Sequence, residues 1–363
     1  MKANLAGKIP RFPQHCFWEI TDACNLRCIH CEADAGQRSA DELSTDEALA
    51  LADDLVGIGC KSVNLTGGEP FLRKDWIDIA ARLSGQGVNV TMITNGLPVD
   101  ETRIGQMLEA GVRAVSVSLD GDSEVHDTIR VSPSRNAPSS YDAAIQALER
   151  LCASPLKTAV ITQIHRHNLG DLPRMYAMLD GMGVDAWQVQ IAMPLGRLWK
   201  IRFDYLIDPR QIPGLVATLA GMIREIRGDD SRMRIAVADN IGYYGRHEPT
   251  LRGAMIGKET FWVGCLAGCR VLALCSNGDV KGCPSHPRVF VVGNTRETPL
   301  AEIWADGDRF SYNTAFDESK LEGGCADCAY RRVCRAGCTS MAYGATGTIY
   351  DNPFCLQRAG ERG

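Results

Sequence analysis

Six strand-like runs, each followed by a helical pattern, leave the first two-thirds of this chain few folds to choose from. The runs are CFWEIT from Cys16, SVNLTGG from Ser62, VNVTMITNG from Val88, VRAVSVSLDG from Val112, LKTAVITQI from Leu156 and VDAWQVQIAMP from Val184. Between and after them lie apolar residues at helical spacing: EALALADDLVGI, WIDIAARLSGQG, ETRIGQMLEAG, YDAAIQALERLC, LPRMYAMLDGMG and IPGLVATLAGMIREI. Ser44 and Glu47 form a capping-box pair ahead of the first helix. Strands alternating with helices imply right-handed βαβ crossovers and a parallel sheet. Six units are too few to close an eight-stranded barrel. The expectation is an α/β fold, an open partial (β/α)6 TIM-like barrel, with its site at the C-terminal ends of the strands. The polar and glycine-rich residues gather there. Residues 1–15 read as an N-terminal segment, 16–230 as the barrel, 231–264 as a bridging region and 265–363 as a turn-rich domain held by metal. Thr128 to Tyr141, TIRVSPSRNAPSSY, reads as a long mobile loop.

The chain carries fifteen cysteines among 363 residues, too sparse and too long for a secreted disulfide scaffold. They cluster, and in a reducing compartment clustered thiols read as metal ligands. Cys24, Cys28 and Cys31 share one loop after the first strand. Cys265, Cys269, Cys275, Cys283, Cys325, Cys328, Cys334, Cys338 and Cys355 crowd the C-terminal part. Cys16, Cys60 and Cys152 sit in apolar segments and read as core. The net charge of −5 makes no case for nucleic acid or an anionic membrane as partner. No signal peptide opens the chain, and no apolar run reaches the roughly 18 residues of a membrane span. The expectation is a cytoplasmic protein.

Three thiols without a fourth leave two readings. One is a zinc loop closed by His30 or Cys16. The other is a 4Fe–4S cluster with one iron free to bind a substrate or cofactor. Further on, the spacings are Cys265-x12-Gly278-x4-Cys283 and Cys325-x2-Cys328-x5-Cys334-x3-Cys338, with Cys355 after them. On their own these would also suit closed zinc sites. Gly278 suits a hairpin turn in SNGDV.

Cys24-x3-Cys28-x2-Cys31, with His30 before the last cysteine, resembles the signature of radical S-adenosylmethionine (SAM) enzymes. TGGEP (Thr66–Pro70), TNG (Thr94–Gly96), SVSLDG (Ser116–Gly121), Arg130 and VQIAMP (Val189–Pro194) follow in the order that family shows at successive strand ends. The resemblance implies that the cofactor's methionyl amine and carboxylate chelate the open iron. It implies close approach of backbone to cofactor at Gly67 and Gly68, and a hydrogen bond from the cofactor's ammonium to Glu69. It places Asn95 at the site, the ribose at Ser118 and Asp120, the methionyl carboxylate at Arg130, and the adenine beside His30 and Ile191. The C-terminal pattern resembles the seven-cysteine SPASM extension, which carries two auxiliary iron–sulfur clusters. Seven ligands do not fill two four-ligand sites. Cys269, which shares a loop with Cys265, is taken as the eighth, with Cys275 as rival. Family precedent implies Cys265, Cys269, Cys283 and Cys338 around one cluster, and Cys325, Cys328, Cys334 and Cys355 around the other. Sulfatase-maturating relatives carry an acidic residue after the cysteine that corresponds to Cys283; here Pro284 follows. Tyr243 and Tyr244 read as packing between domains.

The implied activity is reductive cleavage of SAM to a 5′-deoxyadenosyl radical that takes a hydrogen atom from a substrate. The implied partner is an electron donor such as flavodoxin or ferredoxin. The first expectation is an oxidoreductase acting on a ribosomally made peptide, by crosslinking or dehydrogenation. About fifteen residues precede the first strand, which leaves two readings: a separate protein supplies leader binding, or the substrate is not a peptide. The alternatives are oxidation of a small metabolite, such as a tetrapyrrole side chain or an aminocyclitol, and a non-catalytic electron carrier. The last leaves GGEP, TNG and SLDG without a purpose.

Overall fold

A sheet of ten strands runs through the computed structural model in the order β10-β9-β8-β1-β2-β3-β4-β5-β6-β7. The strands are β1 (His15–Glu19), β2 (Ser62–Thr66), β3 (Asn89–Thr94), β4 (Val112–Ser118), β5 (Lys157–Ile164), β6 (Ala186–Ile191), β7 (Arg234–Val237), β8 (Val271–Leu274), β9 (Asp279–Lys281) and β10 (Gly293–Asn294). The structure describes residues 10–134, 137–228, 233–256 and 262–360. Residues 1–9 of the N-terminal segment, 135–136 of the expected mobile loop, 229–232 where the barrel meets the bridging region, 257–261 of that region and 361–363 lie outside the described residues.

β1 to β7 pair in sequence and in parallel. Helices fill the crossovers: α1 (Thr45–Gly57), α2 (Trp76–Gly85), α3 (Glu101–Glu109), α4 (Ser123–Ile129), α5 (Ser140–Cys152) and α6 (Leu172–Gly181). The reason is periodicity. Ala48, Leu51, Ala52 and Leu55 bury one stripe of α1. Alternate strand residues, Cys16 and Trp18, Val63 and Leu65, Val90 and Met92, Trp187 and Val189, are buried in the same core. Other positions on the same strands are polar. Asn64 Nδ2 donates to Thr91 Oγ1 at 2.9 Å, and Gln188 to Gln190 at 3.1 Å. Ser44 caps α1 in a reciprocal box with Glu47.

Three features differ from the sequence reading. β7, within 231–264, adds a seventh parallel strand beside β6. α4 takes in Thr128 and Ile129 and α5 takes in Ser140 and Tyr141, so both ends of the stretch read as loop are helical, and Val131 just beyond α4 accepts a 2.7 Å hydrogen bond from Arg27 N–H in the cysteine loop. The C-terminal region is joined to the barrel sheet: β8 lies parallel to β1, Cys16 opposite Leu272. β9 and β10 continue antiparallel. Gly278, at φ +88°, turns the β8–β9 hairpin in a left-handed conformation that glycine adopts without strain. Among the described residues, no helix is long and apolar enough to cross a membrane.

Candidate functional site

The loop after β1 is held from two sides. From below, the β2 end binds it: Gly68 N–H donates to Thr21 O at 2.8 Å, and Glu69 N–H to Ala23 O at 2.7 Å. A Cβ on Gly67 would lie 2.3 Å from Thr21 O, and one on Gly68 would lie 2.3 Å from Ala23 O. These glycines therefore admit the cysteine loop's own backbone. From the other side Arg197 donates its Nε to Cys28 O at 2.9 Å and its backbone N–H to Cys31 O at 3.0 Å. A Cβ at Gly196 would meet Cys31 O at 2.3 Å.

The three thiols of this loop act on one another. Burial, with the charges of Glu69, Cys28 and Cys31, pushes the Cys24 thiol up to about 11. Burial also raises Cys28, with Cys31 and Asp120 adding to it and Arg130 opposing. Thiolates crowded this way are stabilised by a cation placed among them. The zinc reading fares poorly. Cys16 is buried in β1 and feels Cys60, not the triad. His30 points its Nε2 at Asp120 Oδ2, 3.3 Å away. Among the described residues, no three His, Cys, Asp or Glu side chains converge as they would around one metal ion.

The strand ends supply the polar surround. Glu69 is fully buried, accepting from Thr94 Oγ1 and Asn95 N–H at 2.9 Å each; burial pushes it up to about 7. Asn95 Nδ2 reaches Asn25 of the cysteine loop at 2.6 Å. Asp120, also fully buried, accepts from Arg130 Nε at 2.7 Å and from Gln163 N–H at 2.9 Å. Burial alone would raise Asp120, but Arg130 and His30 outweigh it and hold it well below the usual carboxylate range. Arg130 thus commits its Nε to Asp120 and keeps its two Nη groups for another acceptor. Asp120 is already engaged, whereas Ser118 is the buried last residue of β4. Ile191 ends β6 and is part of the apolar core.

Three residues here escaped the sequence reading. His165 and Tyr205 stack with ring centroids 4.4 Å apart, and His30 lies 6.1 Å from Tyr205 on a nearly parallel plane. His126 Nδ1 accepts from Asp120 N–H at 3.2 Å. His30 Nδ1, His126 Nε2, His165 Nε2 and Tyr205 Oη are buried without a hydrogen-bond partner. Buried polar atoms are normally satisfied, so four orphans around one ion pair mark a place for a polar ligand. The signal in the sequence was weak: these residues lie after β4, β5 and β6, at the site end of the sheet, in no motif.

The same burial gives a pH prediction. Burial pushes His126 and His165 down to about 4. Their folded values lie below the unfolded value of about 6.5, so the unfolded chain binds more protons as pH falls from 6.5 towards 4. The stability these neutral rings confer is complete above pH 6.5 and is lost below it, roughly 2 kcal/mol per ring by pH 5. Glu32, Glu69 and Asp239, raised to about 7, act in the opposite direction over the same range, so the rings' share is read against a His126→Gln, His165→Gln variant. In denaturant unfolding of the metal-free protein from pH 7.5 to pH 5, the wild type should lose about 4 kcal/mol relative to that variant. An equal response in the two would place both rings in solvent.

The C-terminal thiols fall into two groups. Cys283 is pushed up to about 12 by burial and by Cys265, with Asp239 and Glu32 adding. Burial also raises Cys338, with Asp239, Cys265 and Cys283 adding to it. Cys269 is raised by burial and by Cys265. The second group is Cys325, Cys328, Cys334 and Cys355. Burial raises Cys334, and Cys355, Cys325 and Cys328 add to it. These four line a cavity of about 550 Å³. Cys275 belongs to neither group; burial and Glu19 push it up to about 12. Tyr244 stacks on Tyr330 at 4.5 Å, which packs the bridging region against the second group; Tyr243 stacks on Trp262 within the bridging region at 5.1 Å and lines the cavity of that group.

Between the triad loop and the Cys283 loop lies a second cavity, about 160 Å³, lined by Glu32, Lys281, Ser285 and His286 among others. Glu32 follows Cys31 in the chain and accepts from Gln163 Nε2 at 3.3 Å. Burial raises Glu32 and Asp239 to about 7 each. Both ring nitrogens of His286 are buried without a partner.

Comparison with known proteins follows the same division. A family model described as the radical SAM superfamily matches residues 18–179, and one described as an iron–sulfur cluster-binding domain, SPASM, matches residues 265–329. The chain is 30% identical to an AdoMet-dependent heme synthase of Methanosarcina barkeri, over 96% of this chain and 98% of that one. It is 29% identical to the mycofactocin maturase MftC of Mycobacterium ulcerans, over 94% and 88%. Its fold resembles that of Streptococcus suis SuiB bound to S-adenosylmethionine, with a TM-score of 0.72 at 17% identity, covering 94% of this chain and 76% of that one.

Proposed function

The chain belongs to the radical SAM superfamily and carries a SPASM iron–sulfur cluster-binding domain, and we propose that it oxidises a substituent of its substrate in the cavity between the two halves. It is an enzyme that uses SAM and 4Fe–4S clusters. When bound, these supply hydrogen-atom abstraction by a 5′-deoxyadenosyl radical. Cys24, Cys28 and Cys31 would hold the first cluster. Arg130 would offer its free Nη groups to the methionyl carboxylate, and Glu69 its remaining lone pair to the ammonium. The unpartnered atoms of His30, His126, His165 and Tyr205 would take the cofactor's other polar groups. Cys265, Cys269, Cys283 and Cys338 would hold one auxiliary cluster, and Cys325, Cys328, Cys334 and Cys355 the other.

The observation that carries this reading is the cavity beside Glu32. Glu32 neighbours Cys31 in the chain, and Pro284 and Ser285, which follow Cys283, line the same cavity. A substituent seated there would stand between the triad loop and the Cys283 loop. A cavity of about 160 Å³ takes a side chain, not a whole macrocycle or peptide. The reacting carbon would therefore stand on a protruding group, with the rest of the substrate outside. A tetrapyrrole side chain meets that demand, and the relatives named as heme synthases favour it. A peptide side chain is the second reading, favoured by the likeness to MftC.

The test is anaerobic reconstitution followed by two assays. Iron and sulfide analysis should give about three 4Fe–4S clusters per chain. Incubation with SAM, dithionite and either an iron porphyrin bearing propionate side chains or a peptide encoded beside this chain should yield a substrate lighter by its lost hydrogens, with 5′-deoxyadenosine formed in step. A colourless, zinc-loaded protein with full activity would overturn the reading.

A further inference from the structure

We propose that the segment after β6, centred on Trp199, Lys200, Arg202 and Phe203, is the docking surface for an acidic one-electron carrier protein of the flavodoxin or ferredoxin class. This rests on the reading that Cys24, Cys28 and Cys31 hold a cluster that must be reduced.

The segment comprises a 3₁₀ helix, Gly196–Ile201, and a short helix, Arg202–Tyr205. Its inner side is fastened to the cysteine loop by the Arg197 and Gly196 contacts described above. Leu198 and Tyr205 are buried beneath it. Its outer side is unlike the rest of the surface. Phe203 is 76% exposed and Trp199 45% exposed, and Phe203 is the most exposed of the large apolar side chains described. The Arg202 guanidinium stands 3.7 Å from the Trp199 ring centroid and 4.3 Å from that of Phe203. Arg202 also donates to Trp199 O at 2.6 Å, and Arg166, from the loop after β5, donates to Phe203 O at 3.0 Å. The rings are therefore fixed by cations rather than left loose. An exposed aromatic pair rimmed by charge marks an interaction surface, and aromatic and arginine side chains supply most of the affinity at such sites.

The charge selects the partner. Lys200, Arg202, Arg166 and Arg210 are opposed locally by Asp204 and Asp208, which leaves a basic excess on a chain whose net charge is −5. A basic patch on an acidic protein steers an acidic partner to one place and repels copies of the chain itself elsewhere. The position selects the partner's task. Trp199 is two residues from Arg197, which grips Cys28 O, so their Cα atoms are at most about 7 Å apart. The substrate cavity is lined by Leu195 and Gly196, and Trp199, Lys200, Arg202 and Phe203 take no part in it. What binds here is thus close to the triad and apart from the substrate. The step is a single electron transfer: the carrier is oxidised by one electron and the cluster reduced by one, with no bond made and no proton moved.

The experiment compares two kinds of reductant on the reconstituted protein. Lys200→Glu with Arg202→Glu reverses the charge; Trp199→Ser with Phe203→Ser removes the rings and keeps the charge. Binding of an acidic bacterial flavodoxin, and in parallel an acidic ferredoxin, is read by surface plasmon resonance on both cluster-loaded and metal-free protein. The rate of 5′-deoxyadenosine formation is read with each reduced carrier and with dithionite. Binding and carrier-driven rate should fall about tenfold or more in the charge-reversed variant, fall also in the ring variant, and weaken for the wild type as salt rises. The dithionite-driven rate should not change. Carrier-driven rates unchanged in both variants would overturn the proposal, as would wild-type protein reduced by dithionite and by neither carrier. An equal fall with dithionite would overturn it too, by placing the patch in the SAM site. A wild type reduced by none of the three would fail the cluster reading itself. Should the double variants not fold, Phe203→Ser alone, at a side chain three-quarters in solvent, keeps the test open.

Discussion

Alanine at Cys24, Cys28 and Cys31 together should abolish 5′-deoxyadenosine formation and leave about two-thirds of the iron in place, since each 4Fe–4S cluster needs its own thiolates. The loop should survive the change. Its backbone is held by Gly68 and Glu69 from one side and by Arg197 from the other, and none of these contacts uses a thiol. No neighbour can stand in for the lost ligands. Cys16 is locked in β1 beside Cys60, and His30 is committed to Asp120. The loss should therefore be complete, down to the rate without protein. Iron and sulfide analysis measures the retained clusters, and chromatography measures the nucleoside. A triple variant that still forms 5′-deoxyadenosine from SAM would move the cofactor's iron to the C-terminal half and end the assignment of the triad.

The parts of this molecule that follow from local chemistry were legible in the sequence. The alternation that buries Val63 and Leu65, or Trp187 and Val189, fixes a strand and its inner face within a few residues. Ser44 and Glu47 mark a helix start by themselves. The strand-end motifs form an ordered series of positions, which matters because parallel βαβ connections bring successive strand ends to one side. Pairings over long sequence distance were not legible. Nothing local to VLAL says that it lies against β1, some 250 residues earlier, so the C-terminal region read as separate when its first hairpin extends the barrel sheet. β7 is only four residues long and carries too little periodicity to announce itself. The reason for Gly67 and Gly68 was hidden for the same cause: the atoms a Cβ would strike belong to Thr21 and Ala23, distant in sequence.

The site residues divide along the same line. Arg130 and Asp120 were each singled out as cofactor contacts, but a sequence does not show that two such groups spend part of their capacity on each other. The 2.7 Å bond between them turns Asp120 into an anchor that orients Arg130, and leaves only the Nη groups for a ligand. His165 and Tyr205 had no motif to carry them. Their stacking depends on β5 and the segment after β6 meeting at the site. Isolated histidines and tyrosines are usually core or surface residues, and these are distinguished by orphaned atoms gathered around the Asp120–Arg130 pair.

Replacing Cys328 and Cys334 by alanine should leave SAM cleavage running and stop the final product. The two thiols belong to the group with Cys325 and Cys355, and none of the four lines the cavity that Glu32 lines. They take no part in the triad loop or in the surround of Glu69, Asp120 and Arg130. Cleavage should therefore continue, uncoupled, within a few-fold of its normal rate. If net oxidation sends the substrate's electron out through this group, product formation should fall about a hundredfold or more, equivalent to roughly 3 kcal/mol in the rate-limiting barrier. Metal ligation contributes folding free energy, and Tyr330 beside Cys328 and Cys334 stacks on Tyr244, so the variant's fold must be measured first. Circular dichroism and the iron content of the two remaining sites serve for that, and Cys355→Ser offers a milder change to the same group. A folded variant lacking this cluster that converts substrate at the wild-type rate would remove the group from electron transfer. Its thiols would then hold the C-terminal fold together, and the reaction would return its electron to SAM.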